Sequence, residues 1–324
     1  MPNLTLVDLM SRLDPKGNVA AVAEVLAKNN AIINDFVFTE CNDKTGHKSV
    51  IRTGFPSVGW RKLNYGVQQS KSETQQVRDD TGMLEAVSAV DRVTADMSKD
   101  KAELFLTESS GFLEAMSQEW ADTIFYGDIA KHPAKFNGLA MRYGKVSGNA
   151  PATKNVISAG STSATGNTSI WLIGHGDGKV FGIYPEGSKA GLSSEAPELD
   201  KRWPDGNGGT FEAYVTRFKL HTGICVRDWR YVVRICNIKS DSLNASALTD
   251  LMIKAKRLLP SLNSCKPVFY ANGEVLTALE QGLYNKSNVH LSLAEAQSGI
   301  QELRMSGIPL RQCDAISNNE AKVV

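Results

Sequence analysis

Residues 67–82, Val67-Gln-Gln-Ser-Lys-Ser-Glu-Thr-Gln-Gln-Val-Arg-Asp-Asp-Thr-Gly82, hold only Val67 and Val77 as aliphatic side chains. A stretch this polar has no face to bury, so it cannot form a layer of its own domain. It is either a flexible loop or an extended arm that packs on something else. Just ahead of it, Ser49–Thr53 and Trp60–Asn64 read as strands, and Gly54-Phe-Pro-Ser-Val-Gly59 between them carries turn residues. Paired strands favour the ordered arm.

The strongest periodic element follows. Leu104, Phe105, Phe112, Leu113, Met116, Trp120, Ile124 and Phe125 recur at steps of three and four, and no proline intervenes before Pro133. Asp100 with Glu103 forms a capping box at the start. A helix from Asp100 to Phe125 would run about 39 Å, longer than most globular helices. Its large apolar side chains read as core and as the spine of an elongated domain.

The remaining pattern is mixed. Before the arm, Leu4, Leu6, Leu9 and Met10 form one apolar stripe and Val19, Val22, Val25 and Leu26 a second, and Ile32–Phe38 reads as a short strand. Met83–Val90 suits a strand or a helix start. After the spine, Ser169–Ile173 and Lys179–Tyr184 flank Gly174-His-Gly-Asp-Gly178 as a hairpin signal. Residues 185–210 read as loop, and Phe211–Leu220 and Gly223–Ile238 as strands. Helices are expected at Ala245–Leu259, with Leu248, Leu251, Met252 and Leu258 on one face, and after the cap Asn272, with Leu276, Leu279 and Leu283. Val268–Tyr270 reads as a strand, and Ser292 with Glu295 as a further capping box. Gln301–Met305 and Ile308–Gln312 close as strands ahead of a polar, frayed tail of eight residues. There is no regular β-α-β alternation, so neither a Rossmann nor a TIM architecture is expected, and no internal repeat is evident.

Length and charge bound the function. A chain of 324 residues buries a sizeable core and suggests roughly two domains. With 36 Lys+Arg against 35 Asp+Glu, its charge of +1 argues against a protein that coats nucleic acid. No apolar run approaches the roughly 20 residues of a membrane span, and the N-terminus lacks the pattern of a signal peptide. Asn167-Thr-Ser169 and Asn285-Lys-Ser287 match the glycosylation pattern, which carries little without secretion. Cys41, Cys225, Cys236, Cys265 and Cys313 contain no C-x-x-C pair and read as buried reduced thiols.

The sequence points to no catalytic, cofactor-binding or metal-ligating residue, and no cofactor is expected. Gly174-His-Gly-Asp-Gly-Lys179 has the wrong spacing for a P-loop and lies between strands rather than before a helix, so it reads as a turn. His47, His132, His175, His221 and His290 show no metal-ligand spacing with one another or with cysteine. Gly160-Ser-Thr-Ser-Ala-Thr-Gly166 is not a nucleophile elbow. Asp79-Asp80 reads as solvated arm, and Arg227, Arg230 and Arg234 as the charged outer positions of a strand with ion pairs, although a nucleic-acid face has the same composition.

Several strings taken in order resemble the major capsid protein of tailed bacteriophages, most closely the short-tailed, Bordetella-phage-like podovirus group. They are Gly82-Met-Leu-Glu-Ala-Val-Ser-Ala-Val-Asp91, Glu119-Trp-Ala-Asp-Thr-Ile-Phe-Tyr-Gly-Asp128, Phe136-Asn-Gly-Leu-Ala-Met-Arg-Tyr143, Thr168-Ser-Ile-Trp-Leu-Ile173, Gly182-Ile-Tyr-Pro-Glu-Gly-Ser-Lys-Ala-Gly-Leu192, Asp228-Trp-Arg-Tyr-Val-Val-Arg-Ile-Cys-Asn237 and Gly307-Ile-Pro-Leu-Arg-Gln-Cys-Asp-Ala-Ile316. The match runs from about residue 30 to 316.

The resemblance implies the α+β Hong-Kong-97-type (HK97-like) capsid fold. Residues 1–42 would be an N-terminal arm with short helices and 43–82 the extended E-loop. Residues 83–152 would be the peripheral domain with its spine helix at about 100–126, 153–300 mainly the axial domain, and 301–324 return strands and a polar tail. It also implies a non-enzymatic head protein that self-assembles into hexamers and pentamers of an icosahedral shell around double-stranded DNA, without sequence-specific binding and without a membrane. Separate scaffolding, decoration (cement) and portal proteins would be its partners. The protein would be made in the bacterial host cytoplasm and reside in the virion. The rivals are an encapsulin-like nanocompartment shell of the same fold and an enzyme with a dispersed Cys/His/Asp site. Deleting residues 54–76 is expected to leave a folded subunit that does not assemble.

Overall fold

The computed structural model describes residues 30–188, 191–204, 208–284, 291–295 and 301–324. The two N-terminal stripes expected before residue 27 lie outside them. The described residues open with a short helix α1 (Ile32–Asp35) and strand β1 (Phe38–Glu40), where the sequence suggests a single strand. The arm follows as β2 (Gly46–Gly54) and β3 (Glu73–Asp80), then β4 (Gly82–Asp91), a six-residue helix α2 (Arg92–Met97) and the long helix α3 (Lys101–Tyr126). A short α4 (Leu139–Arg142) leads to β5 (Val156–Ser158), β6 (Asn167–His175) and β7 (Val180–Tyr184). The expected loop at 185–210 instead contains β8 (Leu192–Ser194) and β9 (Glu198–Pro204), both paired with the 17-residue β10 (Thr210–Val226). Then come β11 (Val232–Lys239), α5 (Ala245–Leu258), β12 (Lys266–Ala271), α6 (Gly273–Tyr284), β13 (Leu291–Glu295), β14 (Gln301–Met305) and β15 (Ile308–Gln312).

One large mixed sheet runs in the order β13-β14-β15-β12-β6-β7-β10-β4, and β2-β3 forms a separate hairpin. Side chains of a strand alternate between faces, and β6 uses both. Trp171 and Ile173 enter a core with Met116, Trp120, Ile124 and Phe125 of α3. Ile170 and Leu172 enter a second core with Leu248 and Met252 of α5 and Val275 and Leu279 of α6. Burial on both sides explains why β6 reads as a near-continuous apolar run.

The long helix is capped as anticipated: Asp100 Oδ1 accepts from the amides of Ala102 (2.9 Å) and Glu103 (3.2 Å). It lies on β4 and β10, with Phe112 stacked on Phe218 at 6.0 Å between ring centres and Phe105 against Tyr214 at 5.4 Å. It ends at Gly127, where a Cβ would sit 2.3 Å from the Phe136 carbonyl oxygen, so only glycine fits.

The anticipated hairpin around Gly174–Gly178 does not form. β6 and β7 share a single parallel bridge, His175 to Val180, because β6 is claimed by β11 and β12, and β7 by β1 and β10. Ser292 and Glu295 lie in strand β13, paired with β14, and cap no helix. Leu258 is exposed rather than on the buried face of α5.

The closing residues are not frayed. Glu320 exchanges backbone hydrogen bonds with Asn167, and the Asn237 side-chain amide both donates to and accepts from the Val323 backbone at 2.8 Å. Glu320 pairs with Arg234 at 2.9 Å, both nearly fully buried (5% and 4% side-chain exposure), and accepts from Ser169 and Tyr126. The Arg234 guanidinium also donates to the Tyr143 carbonyl and lies 4.9 Å from the Trp171 ring centre. Arg234 is therefore an interior residue, not an outer position of its strand. A polar tail can bury because its Glu320 carboxylate meets a fixed counter-charge and two donating hydroxyls.

A second buried centre ties α1 to the sheet. Asp35 accepts from Tyr270 (2.6 Å), Lys266 (3.1 Å) and Arg311. Burial pushes its carboxyl up, but these hydrogen bonds outweigh burial and hold it below the usual carboxylate value. Because the folded-state pKa is depressed, this stabilisation is complete above the ordinary value of 3.8 and is lost as pH falls through the lower folded value. Asp35→Asn should cost about 2 kcal/mol at neutral pH. In thermal melts its gap from the parent should close as the medium becomes strongly acidic, and a gap independent of pH contradicts this assignment.

Candidate functional site

Burial raises the thiols of Cys41 and Cys236 to about 11 and those of Cys225 and Cys313 to about 12, so all four are protonated at neutral pH. His175 is buried, its pKa is lowered by burial to about 4, and its Nε2 lies 2.8 Å from the Tyr270 hydroxyl. That hydroxyl donates to Asp35, which leaves His175 Nε2–H to donate in turn. His47 packs edge-on to Phe181, and His221 stands 4.0 Å from Glu85. His290 lies outside the described side chains. Among the described residues no group of three or more His, Cys, Asp or Glu side chains could hold a metal ion, and no helix is long and apolar enough to cross a membrane. Lys179 lies over the Tyr231 ring, 5.2 Å from its centre. Arg230 pairs with Asp228 beside it.

The unusual surface is the arm. β2 and β3 pair antiparallel from Gly46–Asp80 out to Gly54–Glu73. The second strand is thus Glu73–Asp80 and not Trp60–Asn64, and it comes from the polar run that cannot bury a face. A hairpin supplies hydrogen bonds to a backbone whose side chains remain in water. Beyond it, every residue from 55 to 72 is exposed. Phe55 is 86% and Trp60 fully accessible, and Val58, Leu63 and Tyr65 are similarly bare. The tip is braced from within, Ser70 Oγ donating to the Ser57 carbonyl at 2.8 Å and the Tyr65 amide to the Lys62 carbonyl. Five large apolar side chains exposed within one short tip on a polar stalk are the kind of surface that a second molecule covers.

The root of the arm is clamped. Asp79 is buried, not solvated: it pairs with Arg142 and accepts from the Val226 amide at 3.3 Å, while Arg142 also donates to the Val226 carbonyl at 3.2 Å. Gly223 allows β10 to approach, since a Cβ there would lie 2.6 Å from the Asp80 carbonyl oxygen. The hairpin thus has a fixed root and an uncovered tip. The sequence pattern points to an arm, but it places the second strand at Trp60–Asn64 and does not single out the tip. The available signal was the clustering of Phe55, Trp60 and Tyr65 among Pro56, Gly59 and Gly66 without strand alternation. The partner of Asp79, 63 residues away, left no local trace.

Comparison with known proteins agrees over the whole chain. The model of a family described as major capsid protein GP7 matches residues 14–324. A chain of the near-atomic-resolution cryo-EM structure of bacteriophage Epsilon15 is similar at 31% identity and a TM-score of 0.76, over 100% of this chain and 98% of that one. The capsid of bacteriophage JBD30 shares the fold at 6% identity and a TM-score of 0.52, over 90% and 92%. No curated protein matches the sequence.

Proposed function

This chain belongs to the major capsid protein GP7 family, and on that premise we propose that its arm is the E-loop by which each copy grips a neighbour in a shell of hexamers and pentamers. The fold is of the Hong-Kong-97 type, and the protein is a structural shell protein of a bacteriophage head, residing in the virion.

The observation that carries the arm reading is the fully exposed apolar tip at 55–72 on a clamped hairpin. A single copy gains nothing from placing Phe55 and Trp60 in water, whereas a closed shell recovers that area at every contact. In the same reading α3 (Lys101–Tyr126) is the spine of a peripheral domain formed mainly by 83–152. Residues 153–300 make most of the axial domain, 1–42 the N-terminal arm, and 301–324 return to the peripheral domain. The tail then acts as a latch rather than a free end.

The shell would enclose double-stranded DNA without gripping it, in line with a net charge of +1. Scaffolding, decoration and portal functions would come from other chains, synthesis would take place in the host cytoplasm, and the protein would not be an enzyme. Placement with short-tailed phages of the Bordetella-phage group rests on the strings quoted above.

Electron microscopy of the purified chain tests this directly. Closed particles, or free rings of six and five, are expected. A stable monomer or dimer at high concentration would sink the proposal.

A further inference from the structure

We propose that Arg142 is the positioning residue of the arm: through Asp79 it fixes the angle at which the β2–β3 hairpin leaves the subunit, and assembly depends on that angle. The inference rests on the reading that the arm holds a neighbour, and it assigns what sets the arm's direction. Of β2 and β3 only Gly46, Ser49 and Asp79 are buried, none farther out along the hairpin than Ser49. Packing along the stalk therefore cannot hold its direction, and the root has to. From Gly46 to Gly54 the stalk spans about 27 Å at roughly 3.4 Å per residue. A turn of about 10° at the root would carry the far end about 5 Å, more than the roughly 4.5 Å reach of an apolar contact.

The root is a closed ring of hydrogen bonds rather than a single contact. Arg142 donates from Nη2 to Asp79 Oδ1 and from Nη1 to the Val226 carbonyl, and Asp79 Oδ2 accepts from the Val226 amide. One hydrogen bond is an axis about which a hairpin can turn. A ring through the arm, the end of β10 and α4 is not. Backbone contacts close the other side. The Thr81 amide donates to the Thr45 carbonyl at 3.2 Å, and a Cβ on Gly46 would stand 2.6 Å from the Asp79 carbonyl oxygen. The guanidinium makes the ring because it presents its nitrogens as a rigid planar fork, where an ammonium is a single point. The side chain of Asp79 is 3% exposed and that of Arg142 28%. An ion pair this buried is a poor source of net stability, and its best-attested use is to fix one arrangement among several.

Arg142→Lys separates position from stability, since it keeps a charge facing Asp79 and gives up the second point at Val226. Spin labels carried on ketone-bearing amino acids report the arm's direction as a distance distribution in the dilute, unassembled subunit. They replace Thr74 near the far end of β3 and Ala115 on α3, both exposed. The parent should give one narrow distance. Arg142→Lys should melt as the parent does and give a distribution several ångströms wider. Because every copy repeats the fault, its particle yield should fall about tenfold or more. Asp79→Asn, which keeps an acceptor for the Val226 amide and removes the counter-charge, should broaden the distance likewise. A broad distribution in the parent, or one as narrow in both variants as in the parent, overturns the positioning role and leaves the arm reading standing. Broadening with the parent's particle yield overturns the dependence of assembly on the angle. If both variants unfold, the pair serves the core and the proposal fails. A chain lacking residues 55–72 that still forms shells sinks the arm reading itself, whatever the distances show.

Discussion

Replacing residues 55–72 with a two-residue Asn-Gly turn that joins Gly54 to Glu73 should yield a subunit that melts as the parent does and forms no shells. The ends of β2 and β3 already face each other across the hairpin, so a tight turn closes the ladder without strain. Nothing in the cores touches the tip, whose residues are all exposed, so the folded state loses no packing. Assembly loses a great deal. Burying a Phe, Trp or Leu side chain contributes about 1.5–3 kcal/mol, and about 3 kcal/mol at one contact is roughly a hundredfold in its affinity. A closed shell repeats that contact for every copy, so the loss compounds. Particle yield by sedimentation and melting by circular dichroism check the two halves of this result. Unfolding of the variant would show that the arm belongs to the subunit core, and normal shells would remove it from the assembly account. The observed strand limits set this deletion inside the 54–76 boundaries that the sequence suggests, because β3 begins at Glu73.

Glu320→Ala should be the most damaging single substitution to the subunit itself. It removes the carboxylate that faces Arg234 at 2.9 Å, leaving a guanidinium with 4% side-chain exposure without that counter-charge. Breaking a buried pair in this way costs about 3–5 kcal/mol, mostly as the penalty of the orphaned charge. Ser169 and Tyr126 lose an acceptor at the same time. The double variant Arg234→Met with Glu320→Leu should recover part of the loss, since no charge is then stranded. It should not recover all of it, because Tyr143's carbonyl and Ser169 lose partners supplied by Arg234. Denaturant titration of the three proteins measures the order. A single variant as stable as the parent would show that the tail is not latched by this pair.

Features legible in the sequence were those written in local pattern. The spine helix, its Asp100 cap and its apolar period were readable because helix geometry repeats every few residues. The Asn272 cap of α6 belongs to the same class, its Oδ1 accepting from the Glu274 amide. The arm was readable for the opposite reason, a run too polar to bury. Pairings between distant segments were not. β6 and β7 looked like two arms of a hairpin because glycines lie between them, yet each found better partners elsewhere in the sheet. Ser292 and Glu295 fit a capping pattern that strand pairing overrode. Asp79, Arg234 and Glu320 looked like solvent charges because a charged side chain in sequence does not reveal the counter-charge that buries it. Arg234 and Glu320 are 86 residues apart and meet only through the complete sheet. The tip residues lacked any alternating pattern because no partner among the described residues selects one.

Hydrogen exchange of residues 55–72, compared between the unassembled subunit and the closed particle, tests the central claim most directly. With every residue of the tip exposed in the single chain, its amides should exchange rapidly in the free subunit, and those of β2 and β3 near the clamped root more slowly. On assembly the tip should become strongly protected, while the cores flanking β6 change little. Equally rapid exchange of 55–72 in both states would contradict the assignment of the arm as the contact that holds the shell together.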